Sequence, residues 1–255
     1  MPKLKKKFPK IFVWSYLEDY LKNKEKILKI TNKVFSSGNL ILSKEVVDFE
    51  NNFSKFTSNN YGVGVNSGTD AIQIALMSIG IKKNDEVLTV SNTAVPTVSA
   101  IVSCGAKPVF VDINEDDFLI NPYLIEKKIT KKTKAIIPVN LYGQSANYQI
   151  IKNISKKYNI KIIEDCAQSA GAFYKNKPSG SYGDLSAFSF YPTKNLGAYG
   201  DGGMIVTKNK NLYLNCKKLR KYGMTKNYYS EIHGINSRLD EIQAAILNFQ
   251  LNKLK

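Results

Sequence analysis

The chain has 255 residues, an apolar content of 43% and a net charge of +16, so it is long enough to bury a sizeable core. Such a charge can indicate nucleic acid binding, but only Arg220 and Arg238 are arginines, which leaves 35 lysines among the 37 basic residues. Arginine is the preferred residue for bidentate contacts to phosphates and bases, so we interpret the lysines as a solvated surface and expect no nucleic acid partner.

The amino-terminal segment is basic from residue 3 to residue 10 and then apolar over residues 11–14. This apolar stretch is far shorter than a signal peptide or a membrane span requires, so no membrane association is expected. The chain has three cysteines, an odd number at wide spacings that fits neither a disulfide framework nor a zinc site. We therefore predict a cytoplasmic protein without a metal site; the cysteines are Cys104, Cys166 and Cys216.

Short runs of β-branched residues alternate with longer stretches of helical periodicity along the rest of the chain. This alternation predicts an α/β fold, with a mostly parallel central sheet and helices on both faces. Only a glycine-rich loop separates the last two predicted strands, so one of them is expected to run antiparallel. The predicted strands are residues 62–65, 86–90, 108–111, 135–139, 160–164, 186–190 and 203–207, and the predicted helices include residues 70–79, 148–157 and 237–255.

The first candidate site is the sequence Asn66-Ser67-Gly68-Thr69, which follows a predicted strand and opens a helix. Free backbone amides at the start of a helix, with the helix dipole behind them, can bind an anion such as a phosphate. Gly68 allows close approach of the backbone, and the Ser67 and Thr69 hydroxyls can donate as well. Serine and asparagine also cap helices without binding any ligand, so the pattern alone leaves both interpretations open.

The second candidate site follows the apolar strand that ends near Glu164 and Asp165. Open α/β sheets bind their ligands at the carboxyl ends of the strands, where a carboxylate can pair with a protonated pyridine nitrogen and raise the pKa of that nitrogen. Gln168, three residues after Asp165, can reach a ring substituent. A structural acid that caps the next helix is the alternative, and the pattern does not distinguish Glu164 from Asp165.

Lys194 lies in a glycine-rich loop after another predicted strand, five residues beyond Ser189. A lysine amine and a carboxylate are the two groups that pyridoxal phosphate chemistry needs most, one to hold the cofactor as a Schiff base and one to keep its ring nitrogen protonated. Ser189 can hydrogen-bond the phosphate. Asp184 and Asp201 are alternative acids, interpreted as turn or cap residues, and His233, the only histidine, is interpreted as a surface or interface residue.

These stretches belong to an ordered series of motifs that covers most of the chain. The series includes VGVNSGTDAIQIAL, EVLTVSNTAVPTVSAI, KPVFVDI, LYGQ, IEDCAQSAGA, SFYPTKNLGAYGDGG and GINSRLDEIQAAIL. In these motifs the chain resembles the sugar aminotransferases of the DegT/DnrJ/EryC1/StrS family, which are fold-type I pyridoxal phosphate enzymes. The resemblance implies the large domain of that fold. The motifs NTAVPT, LYGQ and SFYPTKNLGAYGDGG look most like those of members that aminate C3 of the sugar.

The resemblance assigns roles to the residues that match the family's motifs. Lys194 matches the Schiff-base lysine and Asp165 matches the acid that faces the pyridine nitrogen, so these two are the predicted catalytic residues. Gln168 matches the residue near the cofactor's phenolic oxygen, and Asn236 matches a residue that reaches the phosphate of the neighbouring subunit. A homodimer with shared active sites is therefore implied. The predicted phosphate contacts are Gly68, Thr69 and Ser189.

The implied reaction moves an amino group from L-glutamate to a nucleotide-linked keto-deoxysugar, with a dTDP-3-keto-6-deoxyhexose as the predicted substrate and an amino sugar for polysaccharide or metabolite glycosylation as the product. A branch of the family that dehydrates sugars has histidine where this chain has Lys194, so transamination is favoured. The alternatives are a nucleotide-sugar 4-aminotransferase and a cofactor-binding fragment without turnover. Many relatives have an aromatic residue at the position of Ala94, so the cofactor ring is expected to stack on another residue or only weakly.

The resemblance also implies three segments. Residues 1–36 are predicted to form an amino-terminal arm and helix, residues 37–235 the cofactor-binding large domain, and residues 236–255 the start of a linker helix. Relatives continue beyond this helix into the carboxyl-terminal part of a small domain, so most of the small domain is expected to be missing from this chain.

Overall fold

A seven-stranded sheet lies at the centre of the computed structural model, which describes residues 15–225 and 228–254. In chain order the strands are β1 (Tyr61–Val65), β2 (Glu86–Val90), β3 (Lys107–Val111), β4 (Thr133–Ile136), β5 (Lys161–Asp165), β6 (Phe173–Tyr174), β7 (Lys177–Pro178), β8 (Leu185–Ser189) and β9 (Gly203–Thr207). The order across the sheet is β1-β9-β8-β5-β4-β2-β3, and β6 and β7 form a separate hairpin. The strand β9 is antiparallel to both neighbours and the other pairs are parallel, which confirms both sequence predictions.

Helices cover both faces of the sheet. Within the described ranges they are α1 (Tyr16–Ser36), α2 (Lys44–Phe56), α3 (Gly68–Ser78), α4 (Val95–Ser103), α5 (Pro122–Ile125), α6 (Tyr148–Tyr158), α7 (Lys210–Leu219) and α8 (Glu241–Leu251). One face packs against α3, α4 and α7, whereas the other packs against α2 and α8 at one end and α5 and α6 at the other. None of these described helices combines the length and the apolar character needed to cross a membrane.

The alternation of side chains along each strand divides the core between the two faces. On β5, Ile163 packs with α3 and α4, whereas Ile162 packs with α6 on the opposite face. On β9, Ile205 lies on the α3 face, and Met204 and Val206 pack against α2 and α8. Both faces are therefore buried, as is typical of parallel sheets. The same alternation decides which polar residues at the strand ends reach the same side of the sheet.

Several predicted strand boundaries differ from the structure. The strands predicted at 160–164 and 186–190 are each displaced by one residue, so that Asp165 and Ser189 are the last residues of β5 and β8. The strand predicted at 135–139 is wrong at its carboxyl end, because Pro138 has no N–H to donate and Val139 meets Asp165 only in an isolated bridge. The sequence does not predict the hairpin of β6 and β7, whose strands have only two residues each.

The helix predicted to start at residue 237 begins instead at Glu241. The preceding residues are tied to other segments: the Ser237 N–H donates to the Arg220 carbonyl at 3.0 Å, and Asp240 forms a bridge with Ile41. The buried Glu241 carboxylate accepts three backbone N–H bonds from the start of α2. A carboxylate at a helix amino terminus is stabilising, so this residue fixes α8 against α2.

Candidate active site

The carboxyl ends of β5 and β8 lie side by side at one edge of the sheet. Asp165 is the last residue of β5 and Ser189 is the last residue of β8. Lys194 follows β8 in a turn where its N–H donates to the Tyr191 carbonyl at 2.8 Å. The strand β1 runs parallel to β8, since both are antiparallel to β9, so the turn at residues 66–68 reaches the same edge. The fold thus brings the three candidate motifs together.

The Asp165 carboxylate is buried on the face of the sheet that α3 and α4 cover. Its side chain has the same parity along β5 as Ile163, and Thr97, near the start of α4, donates its hydroxyl to Asp165 Oδ2 at 2.7 Å. The Ala167 N–H donates to Asp165 Oδ1 at 3.1 Å. A carboxylate has about four lone-pair sites, so Asp165 can accept a further hydrogen bond from a ligand.

Glu164 points to the opposite face, where its carboxylate accepts hydrogen bonds from other residues of the chain. The side chain has an exposure of 0%. Four donors in the loop before β8 and in β8 itself reach it at 2.6 to 3.0 Å, namely the N–H groups of Gly180, Tyr182 and Gly183 and the hydroxyl of Ser186. Glu164 therefore fastens this loop, and Asp165 is the acid that remains available to a ligand.

Burial raises the pKa of Asp165, because removal from water penalises the charged form. Three neighbours oppose this shift and lower the pKa again: the Thr97 hydroxyl, the Ala167 N–H and the positive charge of Lys194. A cationic group on a ligand would act in the same direction as Lys194. The environment of Asp165 therefore suits a pairing with a protonated ring nitrogen.

Lys194 lines a pocket of about 360 Å³ together with residues of the segments that follow β4 and β5. A pocket of this size lies within the range for small ligands and cofactors. Lys194 is partly buried, and its charge is close enough to Asp165 to lower the pKa of that acid. The amine thus lines a ligand-sized pocket, and the buried carboxylate of Asp165 lies close enough to interact with its charge. The other lining residues are Tyr142, Gly143, Gln168, Thr193 and Asn195.

The side chain of Gln168 is held at the wall of this pocket by a backbone hydrogen bond. The Tyr142 N–H donates to Gln168 Oε1 at 2.9 Å. Tyr142 has a φ of 57°, a left-handed conformation that is uncommon for a bulky residue, and it directs its N–H to Gln168. The Gln168 amide nitrogen has no acceptor within the described ranges, so it can donate to an oxygen of a ligand.

The first turn of α3 lies against the end of β8. Ser67 is the N-cap residue and accepts the Asp70 N–H at 3.1 Å, so the capping interpretation of this motif is confirmed. The N–H groups of Gly68 and Thr69 have no acceptor in the part of the chain that the structure describes, and they lie at the positive end of the helix dipole. A Cβ at residue 68 would lie 2.6 Å from Ser189 Cβ. Glycine therefore lets these amides and the Ser189 side chain share one small space.

A network of polar residues fixes the backbone that leads into this turn. Ser237 Oγ accepts the Asn66 N–H at 3.0 Å, and the Ser237 N–H donates to the Arg220 carbonyl at 3.0 Å. The Arg220 guanidinium forms a buried ion pair with Glu50 and donates to the Gly64 carbonyl at 2.7 Å. Glu50 also accepts the Gly64 N–H at 2.8 Å. The network fixes the end of β1, from which the turn departs.

The remaining candidates from the sequence lie outside this constellation. Asp184 accepts hydrogen bonds from the Lys161 ammonium and the Ile162 N–H, each at 2.9 Å. It therefore holds the start of β5, as its interpretation as a structural acid expects. Asn236 is exposed, and its role at the phosphate of a neighbouring subunit stays a prediction. The other exposed candidates are Ala94, Asp201 and His233.

Sequence reasoning misses three residues that shape the site, Thr97, Asn140 and Tyr142. Asn140 has an exposure of 0%; its N–H donates to the Asp165 carbonyl and its Nδ2 donates to Ser179 Oγ, each at 2.9 Å. The only signal in the sequence is that Thr97 and Tyr142 fall within NTAVPT and LYGQ. Their partners are far away along the chain, and no local pattern identifies them.

Known proteins resemble this chain over nearly all of its length. The model of the DegT/DnrJ/EryC1/StrS aminotransferase family matches residues 21–255. The chain is 46% identical over 244 residues to dTDP-3-amino-3,4,6-trideoxy-alpha-D-glucose transaminase from Micromonospora megalomicea subsp. nigra, a match that covers 95% of this chain and 65% of that protein. The chain therefore spans just under two thirds of the length of this relative.

Solved structures share the fold. DesV from S. venezuelae superposes with a TM-score of 0.94 and 39% identity, over 97% of this chain and 67% of that chain. NtdA from Bacillus subtilis with the bound cofactor PMP superposes with a TM-score of 0.89 and 34% identity, over 98% of this chain and 58% of that chain. These matches confirm the predicted α/β class and the fold-type I aminotransferase architecture.

Proposed function

Because the chain belongs to the DegT/DnrJ/EryC1/StrS aminotransferase family, we propose that it carries the cofactor-binding part of a pyridoxal phosphate-dependent sugar aminotransferase. The observation that carries this proposal is the meeting of Asp165 and Lys194. Asp165 is buried, holds a hydrogen bond from Thr97 and interacts electrostatically with Lys194, which lines the adjoining pocket. An amine and an acid in this relation are the groups that pyridoxal phosphate requires.

The site residues fit this cofactor at both of its ends. The two free N–H groups in the first turn of α3, together with the Ser189 hydroxyl, would hold the phosphate, and the space between them is one that a Cβ would fill. Asp165 would hold the protonated ring nitrogen, Gln168 would donate to the phenolic oxygen, and Lys194 Nζ would hold the cofactor covalently. This supports the roles predicted from the sequence.

The chain's own residues account for the proton transfers. When bound, the cofactor supplies an electron sink for the carbon that gains or loses the amino group. Asp165 in its ionised form keeps a facing ring nitrogen protonated, and the hydrogen bonds from Thr97 and Ala167 favour that ionised form. The Lys194 Nζ amine, when it does not hold the cofactor, removes and returns the proton at the substrate carbon as a general base and acid.

We propose L-glutamate as the amino donor and a dTDP-linked keto-deoxysugar as the acceptor, with amination at C3. The name of the Micromonospora relative, a transaminase of a dTDP-3-amino sugar, supports this choice. We place the reaction in the cytoplasm, because Cys104, Cys166 and Cys216 are free thiols, which a reducing compartment preserves.

The proposal includes a homodimer with shared active sites and the three segments predicted from the sequence. Residues 37–235 would form the cofactor-binding domain, and residues 236–255 would lead toward a small domain. Exposed apolar side chains lie along the outer face of α1, which supports the proposal that this face packs against a further chain or segment. These side chains are Leu17, Leu21, Leu28 and Phe35.

A single-turnover assay tests the proposed function. The chain is loaded with pyridoxal phosphate, freed of excess cofactor and mixed with L-glutamate; we expect stoichiometric release of oxoglutarate and, after addition of the keto sugar nucleotide, formation of the amino sugar. The Lys194→Ala variant should release none, whereas Lys208→Ala, which removes the lysine that follows the last residue of β9, should release as much as the wild type. A loaded wild-type chain that releases no oxoglutarate would leave only a cofactor-binding fragment.

A further inference from the structure

A separate pocket of about 560 Å³ lies at the amino edge of the central sheet, away from the candidate active site. It is formed where the chain enters β4 and β5 and where α6 ends. The candidate active site lies at the carboxyl end of β5, which has five residues, so the two edges are roughly 16 Å apart at about 3.3 Å per residue. A small ligand in this pocket would therefore be separate from one in the Lys194 pocket.

Two lysines of this pocket have no partner for their charge. Lys131 and Lys134 line the pocket and are exposed, and their ammonium groups make no hydrogen bond or ion pair with any described residue. The described lining contains no acidic residue. Two acids close by are already engaged: Glu126 pairs with the Lys157 ammonium at 3.0 Å, and Glu86 accepts a threonine hydroxyl at 2.6 Å. Two positive charges at one cavity therefore favour a ligand with negative charge.

The pocket also contains neutral donors that the chain leaves unused. Thr133 is buried, with an exposure of 5%, and its hydroxyl oxygen accepts the Thr130 N–H at 2.9 Å. The hydrogen of this hydroxyl has no acceptor in the part of the chain that the structure describes, and the side-chain amide of Asn159 has no partner there either. A buried polar hydrogen without a partner costs free energy, and an acceptor oxygen of a ligand would remove that cost. The donors thus favour a ligand with several acceptor oxygens.

The rest of the lining is apolar. Tyr158, the last residue of α6, is exposed and lines the pocket with its side chain, and Ile129 and Ile160 line the same cavity. An aromatic ring favours a second flat group, which can stack on it or meet it edge-on, and the isoleucines favour an apolar group of any shape. The complementary ligand therefore combines charged oxygens with a flat apolar body.

We propose that this pocket binds a phosphate monoester with a flat apolar body. The phosphate accepts hydrogen bonds from Lys131, Thr133 and Lys134, and the apolar body lies against Tyr158. A phosphate monoester carries about 1.5 to 2 negative charges at pH 7 and has three terminal oxygens, which match two ammonium groups and one hydroxyl. A carboxylate has one charge and two oxygens, so it matches this set less well. The site is independent of the proposed function, because it lies at the opposite edge of the sheet.

Calorimetric titration of the full chain with phenyl phosphate, at a constant ionic strength of about 0.1 M, tests this site. We expect the wild type to bind phenyl phosphate with a Kd below about 1 mM and to bind benzoate about tenfold more weakly. Lys131→Ala and Lys134→Ala should each weaken the binding of phenyl phosphate about fivefold, and the double variant about twentyfold, because each removes a charged donor. Tyr158→Ala should reduce the affinity for phenyl phosphate to that for inorganic phosphate.

Matched controls exclude a general effect of charge or of lost aromatic surface. Lys132→Ala removes the same charge from an exposed lysine that does not line the pocket, and Phe173→Ala removes an exposed ring on the β6–β7 hairpin; both should keep the wild-type affinity. Phenyl phosphate bound at the start of α3 would not respond to Lys131 or Lys134, so it cannot imitate the expected result. No binding by the wild type, equal binding by the double variant, an equal loss in Lys132→Ala, or benzoate bound as tightly as phenyl phosphate would overturn the proposal.

Discussion

Asp165 is a buried acid whose environment decides both its own charge and the chemistry proposed for the site. Burial raises its pKa above the ordinary value of 3.8. A raised folded-state pKa contributes stability that is fully present below the unfolded-state pKa and is lost as the pH rises through the folded-state pKa. In the cofactor-free chain, the ionised Asp165 therefore reduces stability at neutral pH.

We expect Asp165→Asn to unfold at a higher temperature than the wild type at pH 7 without cofactor, and this difference to shrink as the pH falls toward the ordinary pKa. Asparagine has the same shape without the charge, and the Thr97 hydroxyl can accept a hydrogen bond from the new amide. Thermal unfolding across the pH range measures the difference. Asp184→Asn, which removes the partner of Lys161, is the control and should not stabilise the chain. A difference in unfolding temperature that does not change with pH would contradict the raised pKa of Asp165.

The Thr97 hydroxyl donates to Asp165, so replacing Thr97 should change both the stability of the chain and the pKa of Asp165. Thr97→Val keeps the volume but removes the donor to Asp165 Oδ2, and we expect the free energy of unfolding to fall by about 1–3 kcal/mol. The pKa of Asp165 should rise further, so the bound cofactor should show less of its ring-protonated absorbance at a given pH. Thr97→Ser should restore the wild-type spectrum. A normal spectrum in the valine variant would show that Asp165 does not need Thr97.

At the scale of elements, the start of α3, which is the proposed phosphate site, lies against the end of β8 because other segments hold it there. Ser237 accepts the Asn66 N–H at 3.0 Å from a segment 171 positions away. The strand register places Gly203 opposite both Val65 and Ser189, which brings the start of α3 and the end of β8 together. The proposed phosphate contacts would thus depend on sheet pairing as much as on the helix dipole.

The bond from Asn66 to Ser237 predicts a selective effect on the phosphate. Ser237→Ala removes the acceptor for this N–H, so we expect the affinity for pyridoxal phosphate to fall about fivefold to tenfold. The affinity for pyridoxal, which has no phosphate, should stay unchanged. Fluorescence or absorbance titration with both compounds measures the two values. An equal loss for both would indicate a general structural defect instead.

An element can be predicted from the sequence when neighbouring residues alone determine where it begins and ends. The main strands are predicted to within three residues at each end because apolar runs and turn residues mark them in the sequence. The hairpin of β6 and β7 is not predicted, because a strand of two residues shows no hydrophobic periodicity. The start of α8 is displaced because the Arg220 carbonyl and Ile41 compete for the residues before it, and such tertiary contacts leave no local pattern.

At the scale of the whole molecule, the sequence identifies the motifs but not the contacts between them. Lys194, Asp165 and Gly68 are predicted from their local patterns and from the family resemblance, and the fold brings them to one edge of the sheet. Thr97 and Asp165 lie 68 positions apart, so no spacing rule joins them. The choice between Glu164 and Asp165 depends on which face α4 covers, which is a property of the packed chain.

Shared active sites predict complementation between two defective chains. Lys194→Ala removes the residue that holds the cofactor, and Asn236→Ala removes the proposed contact to the neighbouring subunit. In a dimer with shared sites, a mixed pair has one site in which both residues are intact, so random mixing should restore about a quarter of the sites. Cofactor retained at a limiting concentration measures this. Independent sites would give no gain on mixing.

The most direct test of the central claim is borohydride reduction of the chain with pyridoxal phosphate, followed by peptide mass mapping of the label. The chain has many lysines, and Lys208 is the strongest competitor, because burial, followed by the charges of Lys152 and Lys177, lowers its pKa and so increases the fraction of its amine that is unprotonated and able to react. We predict a label on Lys194 at stoichiometric cofactor, in the wild type and in Lys208→Arg alike, and loss of that label after preincubation with L-glutamate. A label spread over surface lysines, or concentrated on Lys208 while Lys194 stays unmodified, would contradict the account.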